Sequence, residues 1–310
     1  METESAAGRL AGQIAVPRSR MPALLEAMRP KQWSKNIFVL AGIVFAGRLF
    51  ELQAVLRVLS CFALFCAAAS SVYLANDISD RETDVHHPTK RRRPIASGRL
   101  SAGVARVAAV VLAVTALGGS LLLNRETAFI VTAYLCATFA YSFGLKRVFL
   151  LDTMIVAAGF VLRAAAGAAA IAAEISPWLL VCSFLLSLYL ALGKRRAELV
   201  LLGEAASSHR VALGQYSLPL VDSWLTALSA AAIVSYAIYT QSPRTVEHFG
   251  TSNLLYTVPF VIYALFRYQN HVVRLDAGGD PGALLVSDKG LWIALVGWGL
   301  TAAFVIYGSR

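Results

Sequence analysis

Long apolar runs alternate with short charged segments along most of the 310 residues. The runs approach the ~20 residues that a helix needs to cross a bilayer. The first expected span covers about Ser34 to Gly47 and extends back through the amphipathic stretch Ala23–Pro30, with a bend at Pro30. The later ones are Ala54–Ala75, Ala102–Leu123, Ala128–Phe143, Leu150–Ala172, Trp178–Leu192, Trp224–Thr240, Leu254–Phe266 and Leu291–Tyr307. The fourth and eighth are short for a crossing. The pattern predicts an all-α integral membrane protein.

Composition agrees with the pattern. The chain is 57% hydrophobic and 15% charged, with a mean hydropathy of +0.63; a soluble domain is about 25% charged. The net charge of +10 is distributed by side. If the N-terminus and the loops after the second, fourth, sixth and eighth spans share a side, that side holds 21 of the 28 lysines and arginines. Arg48, Arg57, Arg125, Arg244 and Arg310 fall on the other, and Arg106 and Arg163 lie within spans. The positive-inside rule makes the first side cytoplasmic. The basic balance therefore reflects topology, and no soluble basic domain exists to bind nucleic acid. Cys61, Cys66, Cys136 and Cys182 lie in apolar spans without metal spacing and read as core residues. Residues 1–21 are polar and are expected to form a disordered cytoplasmic tail. Residues 22–310 are expected to form one transmembrane domain. Abundant Gly and Ala allow packing between copies as readily as within one chain, which leaves a homo-oligomer open.

The densest chemistry follows the second span, at Asn76-Asp77-Ile78-Ser79-Asp80-Arg81-Glu82-Thr83-Asp84. Aspartates at i, i+3 and i+7 share a helix face. Carboxylates and an amide oxygen at Asn76, Asp77, Asp80 and Asp84 are hard donors suited to Mg2+, an ion usually shared with substrate phosphates. The other reading is a solvated helix end neutralised by nearby arginines. The next loop runs His86-His87-Pro88-Thr89-Lys90-Arg91-Arg92-Arg93-Pro94-Ile95-Ala96-Ser97-Gly98. Arg92 and Arg93 are candidates to hold phosphate, or they serve only as a topological anchor.

The run Asn76–Asp84 followed by Arg92-Arg93-Pro94 and Gly98 resembles the first motif of the UbiA superfamily of intramembrane prenyltransferases. The resemblance spans about residues 22–308. It implies nine transmembrane helices around a cavity that opens sideways to the lipid, with the aspartates holding Mg2+ and a diphosphate. The family's usual second aspartate motif has no counterpart here. Its place reads Leu192-Gly193-Lys194-Arg195-Arg196-Ala197-Glu198, with Lys194 and Glu198 where aspartates are expected. A lysine there would meet an anion directly and repel a second metal. Met28–Asn36, Tyr141–Lys146 and Leu151-Asp152 through Arg163 are similar to one branch, the decaprenyl-phosphate phosphoribosyltransferases. That branch implies a reversed role for the lipid: a polyprenyl phosphate accepts, and 5-phosphoribosyl 1-diphosphate donates. The product would feed cell-wall arabinan synthesis at the cytoplasmic face of the inner membrane. The alternatives are an aromatic prenyltransferase using a polyprenyl diphosphate, and a lipid carrier without catalysis.

Such a site needs many cations. Lys35, Lys146, Lys194 and Arg195 fall at cytoplasmic span ends and are candidates to converge on the phosphates, with Lys194 at the reaction itself; Lys35 and Lys146 also read as snorkelling interfacial lysines. Arg163 lies about 12 residues into the fifth span, where an arginine must face a cavity or a partner. Asp152, three turns earlier, shares its face, and Gly159 and Gly167 flank it. Tyr73, Tyr141 and Tyr189 are candidate cavity-lining residues, and Glu198 a substrate contact. Ala277–Pro281, among Asp276, Asp280 and Asp288, reads as a turn that could cover the site.

Overall fold

A computed structural model describes residues 21–87, 89–174, 176–202, 211–275 and 278–308. The expected tail and Asp276 fall outside the described residues, Met21 excepted. Helix α1 (Ala23–Ala27) leads into a 3-10 segment (Pro30–Leu40) and α2 (Ala41–Phe45). Then come α3 (Leu52–Ser79), α4 (Arg81–His86), α5 (Ala102–Leu123), α6 (Arg125–Phe143), α7 (Leu151–Ala170) and α8 (Pro177–Leu202). The last are α9 (Leu218–Gln241), α10 (Pro243–Phe249), α11 (Val258–Arg274), α12 (Pro281–Ser287) and α13 (Lys289–Tyr307).

Local chemistry sets the helix starts. Ser101, Asn124, Ser242 and Asp288 cap α5, α6, α10 and α13 by accepting the N–H of Val104, Thr127, Thr245 and Leu291. Asp280 caps α12 through Gly282 and Ala283, with Pro281 in the first helical turn. At the opposite end of α7, Arg48 and Arg57 donate to the terminal carbonyls of Ile171 and Ala170, which have no acceptor role left within the helix.

Among the described residues, seven helices are long and apolar enough to cross a membrane: α3, α5 through α9, and α13. The count rises to eight if α10 and the segment ending in α11, bent by 99°, form one broken crossing. Gly250, with φ of +69°, ends α10 in the left-handed conformation that permits this bend. Seven or eight regular crossings come close to the nine expected without confirming that count. The first is not one helix but α1, the 3-10 segment and α2. Its backbone lies directly on α7. A Cβ on Gly42 would come 2.4 Å from the Ala168 nitrogen, and one on Gly167 would come 1.8 Å from the Val39 oxygen. Two glycines thus bring two backbones into contact. Helix α8 is also longer than expected. It runs past Leu192 and carries Lys194 through Glu198 as helix.

Two large cores and two smaller clusters fill the bundle among the described residues. One large core joins the 3-10 segment, α3, α6 and α7 through Val39, Val58, Phe65, Val131, Tyr134 and Ala166. The other joins α8, α9, α11 and α13 through Leu192, Leu225, Leu265, Tyr268 and Leu291. Helices α7 and α8 pack together along the seam.

Candidate active site at the charged helix ends

Helix α3 ends at Ser79 and α4 begins at Arg81; between them Asp80 adopts φ −87° and ψ 3°. The three aspartates therefore straddle a helix break rather than sharing one uninterrupted face. Asp77 and Asp84 are each 2% exposed. Arg93 Nη1 bridges them, 3.1 Å from Asp77 Oδ1 and 2.6 Å from Asp84 Oδ2. Arg29 Nη2 lies 2.5 Å from the same Asp77 oxygen, and Lys90 Nζ is 4.0 Å from Asp84 Oδ1. Asp80 points elsewhere. It accepts from Asn76 Nδ2 at 2.9 Å and lies 3.7 Å from Lys146 Nζ. Of the four donors expected at one ion, two carboxylates converge and the other two bond each other. Among the described residues no three His, Cys, Asp or Glu side chains assemble a ready-made metal site. The donors still suit Mg2+, which is commonly held by one or two carboxylates and completed by water and substrate phosphate.

Arg29 has the left-handed backbone, φ 56° and ψ 61°, a conformation that costs a non-glycine residue roughly 1–3 kcal/mol. Its guanidinium sits 5.0 Å from the Tyr73 ring centroid, so salt bridge and ring together hold it. Arg92, one residue before the bridging Arg93, is exposed. Arg99 binds Glu26 with two bonds of 2.8 and 2.9 Å and fastens this loop to α1.

A second charged group lies on α7 and α8. Asp152, fully buried, accepts from Arg195 Nε at 2.8 Å and from the Tyr216 hydroxyl at 2.7 Å. Arg195 also donates to Glu198 at 2.6 Å and has Tyr141 in electrostatic range. The Tyr216 hydroxyl is 3.2 Å from the Leu150 nitrogen as well, where a tight turn with φ +64° starts α7. Arg195 is thus committed to two carboxylates rather than presented to substrate, and it fixes the helix turn that carries Lys194. Lys194 is exposed and forms no ion pair among the described residues. Lys35 is accessible yet surrounded, with Lys194, Arg163, Arg29 and Asp280 in electrostatic range.

Arg163 is 6% exposed. It donates to Asn36 Oδ1 at 2.7 Å and to the Tyr134 hydroxyl at 2.8 Å, and it lies against the Tyr134 and Phe160 rings. Asn36 in turn donates to Cys66 Sγ at 3.3 Å. Asp152 and Arg163 share a face of α7 but not a partner. Arg163 acts through the 3-10 segment, at the residue next to Lys35. Tyr189, expected to touch substrate, is wholly buried and donates to the Leu265 carbonyl at 2.8 Å; it belongs to the core. The glycine turn after α11 packs over Lys194's neighbour, since a Cβ on Gly278 would come 2.7 Å from the Gly193 oxygen.

Sequence reasoning gave no role to Arg29, Tyr134, Arg196 or Tyr216. Arg196 donates to Asp222 at 2.6 Å and to the Val272 carbonyl at 2.7 Å, clasping α8 to α9 and α11. Position in a span could have singled out Tyr134; Tyr216 carried no signal.

A cavity of about 290 Å³ at the far end of α7 is lined by Phe45, Arg48, Ala168, Glu174, Tyr239 and Arg244. It is remote from the aspartates, and Glu174 there is paired with Arg244.

The sequence pattern described as the UbiA prenyltransferase family matches residues 36–193. The decaprenyl-phosphate phosphoribosyltransferase of Corynebacterium glutamicum is 35% identical over 94% of this chain and 89% of its own length. The enzyme of the same name from Mycolicibacterium smegmatis is 35% identical over 94% of this chain and 95% of its own. The fold is similar to a UbiA homolog from Archaeoglobus fulgidus bound to GPP and Mg2+, with a TM-score of 0.64 and 17% identity over 92% of this chain and 96% of that one.

Proposed function

The chain belongs to the UbiA prenyltransferase family, and within it we infer a decaprenyl-phosphate phosphoribosyltransferase. It transfers 5-phosphoribosyl from 5-phosphoribosyl 1-diphosphate to decaprenyl phosphate and releases diphosphate, supplying a precursor of cell-wall arabinan. The charged helix ends would face the cytoplasm, where a soluble donor is made. The observation that carries this reading is the stretch Lys194–Glu198. Cations stand where a prenyl diphosphate enzyme would keep a second acidic cluster; Arg195 is locked by Asp152 and Glu198, and the exposed Lys194 beside it would line a substrate cleft with Lys35. The two 35% identical relatives, both named decaprenyl-phosphate phosphoribosyltransferase, support the lipid acceptor and the group transferred.

Asp77 and Asp84 would hold Mg2+, with Asp80 and Asn76 beside them. Magnesium, when bound, neutralises the diphosphate as it leaves. Arg93 and Lys146 flank that leaving group and stabilise its growing charge. Lys194 and Lys35 hold phosphate oxygens across the cleft and orient the two substrates. The bond from ribose C1 to the diphosphate oxygen breaks and the electron pair leaves with diphosphate. An oxygen of the lipid phosphate forms the new bond to C1. That phosphate monoester is already ionised near neutral pH, with a second pKa of about 6, so the protein need not supply a strong base. Attack opposite the leaving group inverts the anomeric centre.

The test is incubation of the purified protein with radiolabelled 5-phosphoribosyl 1-diphosphate, decaprenyl phosphate and Mg2+. Label should enter the lipid phase and stay out when metal is chelated. Prenylation of an aromatic acid from a polyprenyl diphosphate, with no label in the lipid, would overturn the assignment. Metal-dependent turnover of either kind excludes a carrier without catalysis.

A further inference from the structure

Asp77 Oδ1 and Asp84 Oδ2 converge on one guanidinium nitrogen, Arg93 Nη1. Arg93 reaches both from the basic loop, and Arg29 reaches Asp77 from the N-terminal segment. Both carboxylates are almost wholly buried. Two like charges held together in that environment destabilise a fold unless cations neutralise them. A metal near 2.1 Å from Asp77 Oδ1 would share that oxygen with guanidinium groups at 2.5 and 3.1 Å, and like charges repel strongly at that range. Metal and arginines therefore compete.

Resting on the reading that Asp77 and Asp84 hold the metal, we propose that Arg29 and Arg93 are internal counter-cations, exchanged for the metal and handed to the diphosphate that arrives with it. Without metal they neutralise the buried carboxylates and hold α4, the basic loop and the N-terminal segment together. When metal takes the carboxylate oxygens, the freed guanidinium groups are already beside the phosphate oxygens, which they bind in planar, two-pronged fashion. Metal alone must displace both arginines without giving them a new partner. Metal with diphosphate supplies one. The exchange thus couples the two ligands so that each binds better in the presence of the other. Arg29 sits in its strained left-handed backbone while paired with Asp77, and the exchange would let that residue relax.

The experiment measures Mn2+ binding by electron paramagnetic resonance, and thermal unfolding in chelator or metal, for the wild type, Arg93→Gln, Arg29→Gln and Asp84→Asn. Inorganic diphosphate serves as the anion probe. The wild type should bind Mn2+ weakly alone and at least about ten-fold more tightly with diphosphate. Arg93→Gln should bind Mn2+ alone more tightly than the wild type, gain less from diphosphate, unfold earlier in chelator and recover more on adding metal. Arg29→Gln, whose side chain meets Asp77 alone where Arg93 meets both carboxylates, should move the same way by less, and it keeps the test decisive if Arg93→Gln does not fold. Equal Mn2+ affinity and equal diphosphate enhancement in the wild type and the arginine variants would overturn the exchange while leaving the metal reading standing. Mn2+ binding that is absent from the wild type even with diphosphate, or unchanged by Asp84→Asn, would overturn the metal reading and the exchange with it.

Discussion

Two charged regions meet at the same end of the bundle and are neutralised in opposite ways. Around Asp77, Asp80 and Asp84 every carboxylate has a cation within 4.0 Å, drawn from Arg29, Lys90, Arg93 and Lys146. Around Lys35 and Lys194 the balance runs the other way. Arg163 is held by an amide oxygen and a phenol, and on α8 Arg195 is consumed by Asp152 and Glu198 and Arg196 by Asp222. The first region is complete in the protein alone. Among the described residues the second keeps an exposed cation, Lys194, without an ion pair, beside Lys35 with Asp280 in its electrostatic range. A site that joins two anionic substrates needs both: acids to share a metal with the leaving group, and unpaired cations to hold a phosphate without one.

The largest expected effect breaks the acidic region. Asp80→Ala and Asp84→Ala should each lower transfer about a hundred- to a thousandfold, as loss of a main charge-stabilising group does, while the purified proteins still melt cooperatively. Wild-type activity in either variant would end the assignment of these aspartates.

Next is the buried arginine. Arg163→Met leaves Asn36 and Tyr134 without their partner, at a cost of about 2–3 kcal/mol of stability. Because Asn36 adjoins Lys35, KM should rise more than kcat falls. Arg163→Lys should restore part of the stability and less of the KM, since a single ammonium does not reproduce two diverging N–H bonds. An unchanged KM in a destabilised variant would make Arg163 purely structural.

Lys194→Met tests the cationic region directly. The loss of one charge-assisted hydrogen bond of about 1.5–3 kcal/mol predicts a fall of about 10- to 100-fold in kcat/KM. Melting temperature should hardly move, because Lys194 forms no ion pair among the described residues. Mn2+ affinity measured without substrate should be unaltered. A change in metal affinity as large as that of Asp84→Asn would merge the two regions into one site.

What the sequence made legible follows from the range of each interaction. Spans α3, α5 and α13 are apolar over a full crossing, so their existence could be read from local pattern alone. The aspartate run and the Lys194–Glu198 departure are local too. The first span and its break near Pro30 were legible, but its 3-10 form was not, because its close seat on α7 depends on Gly42 meeting Gly167, 125 residues apart in the chain; no local signal records that two backbones touch. The same limit applies to charge. Nothing at position 93 says that Arg93 turns inward to two aspartates while Arg92 faces solvent. Nothing at position 195 says that its partner is Asp152.

Tyr189 supplies the smallest and most discriminating effect. Tyrosine near a helix end invites a role in binding, and the chain has such residues in both regions. Its ring, however, packs 5.4 Å from Tyr268, and its hydroxyl bonds a carbonyl that already belongs to α11. Removing the hydroxyl leaves that carbonyl with its helical partner, so Tyr189→Phe should cost only about 0.5–1.5 kcal/mol, read as a small fall in melting temperature. Both kcat and KM should match the wild type. Tyr141, which neighbours Arg195, is the proper contrast: Tyr141→Phe at the same stability should alter KM if the cationic region holds substrate. If instead Tyr189→Phe raises KM and Tyr141→Phe does not, the cleft runs along the second core rather than between Lys35 and Lys194.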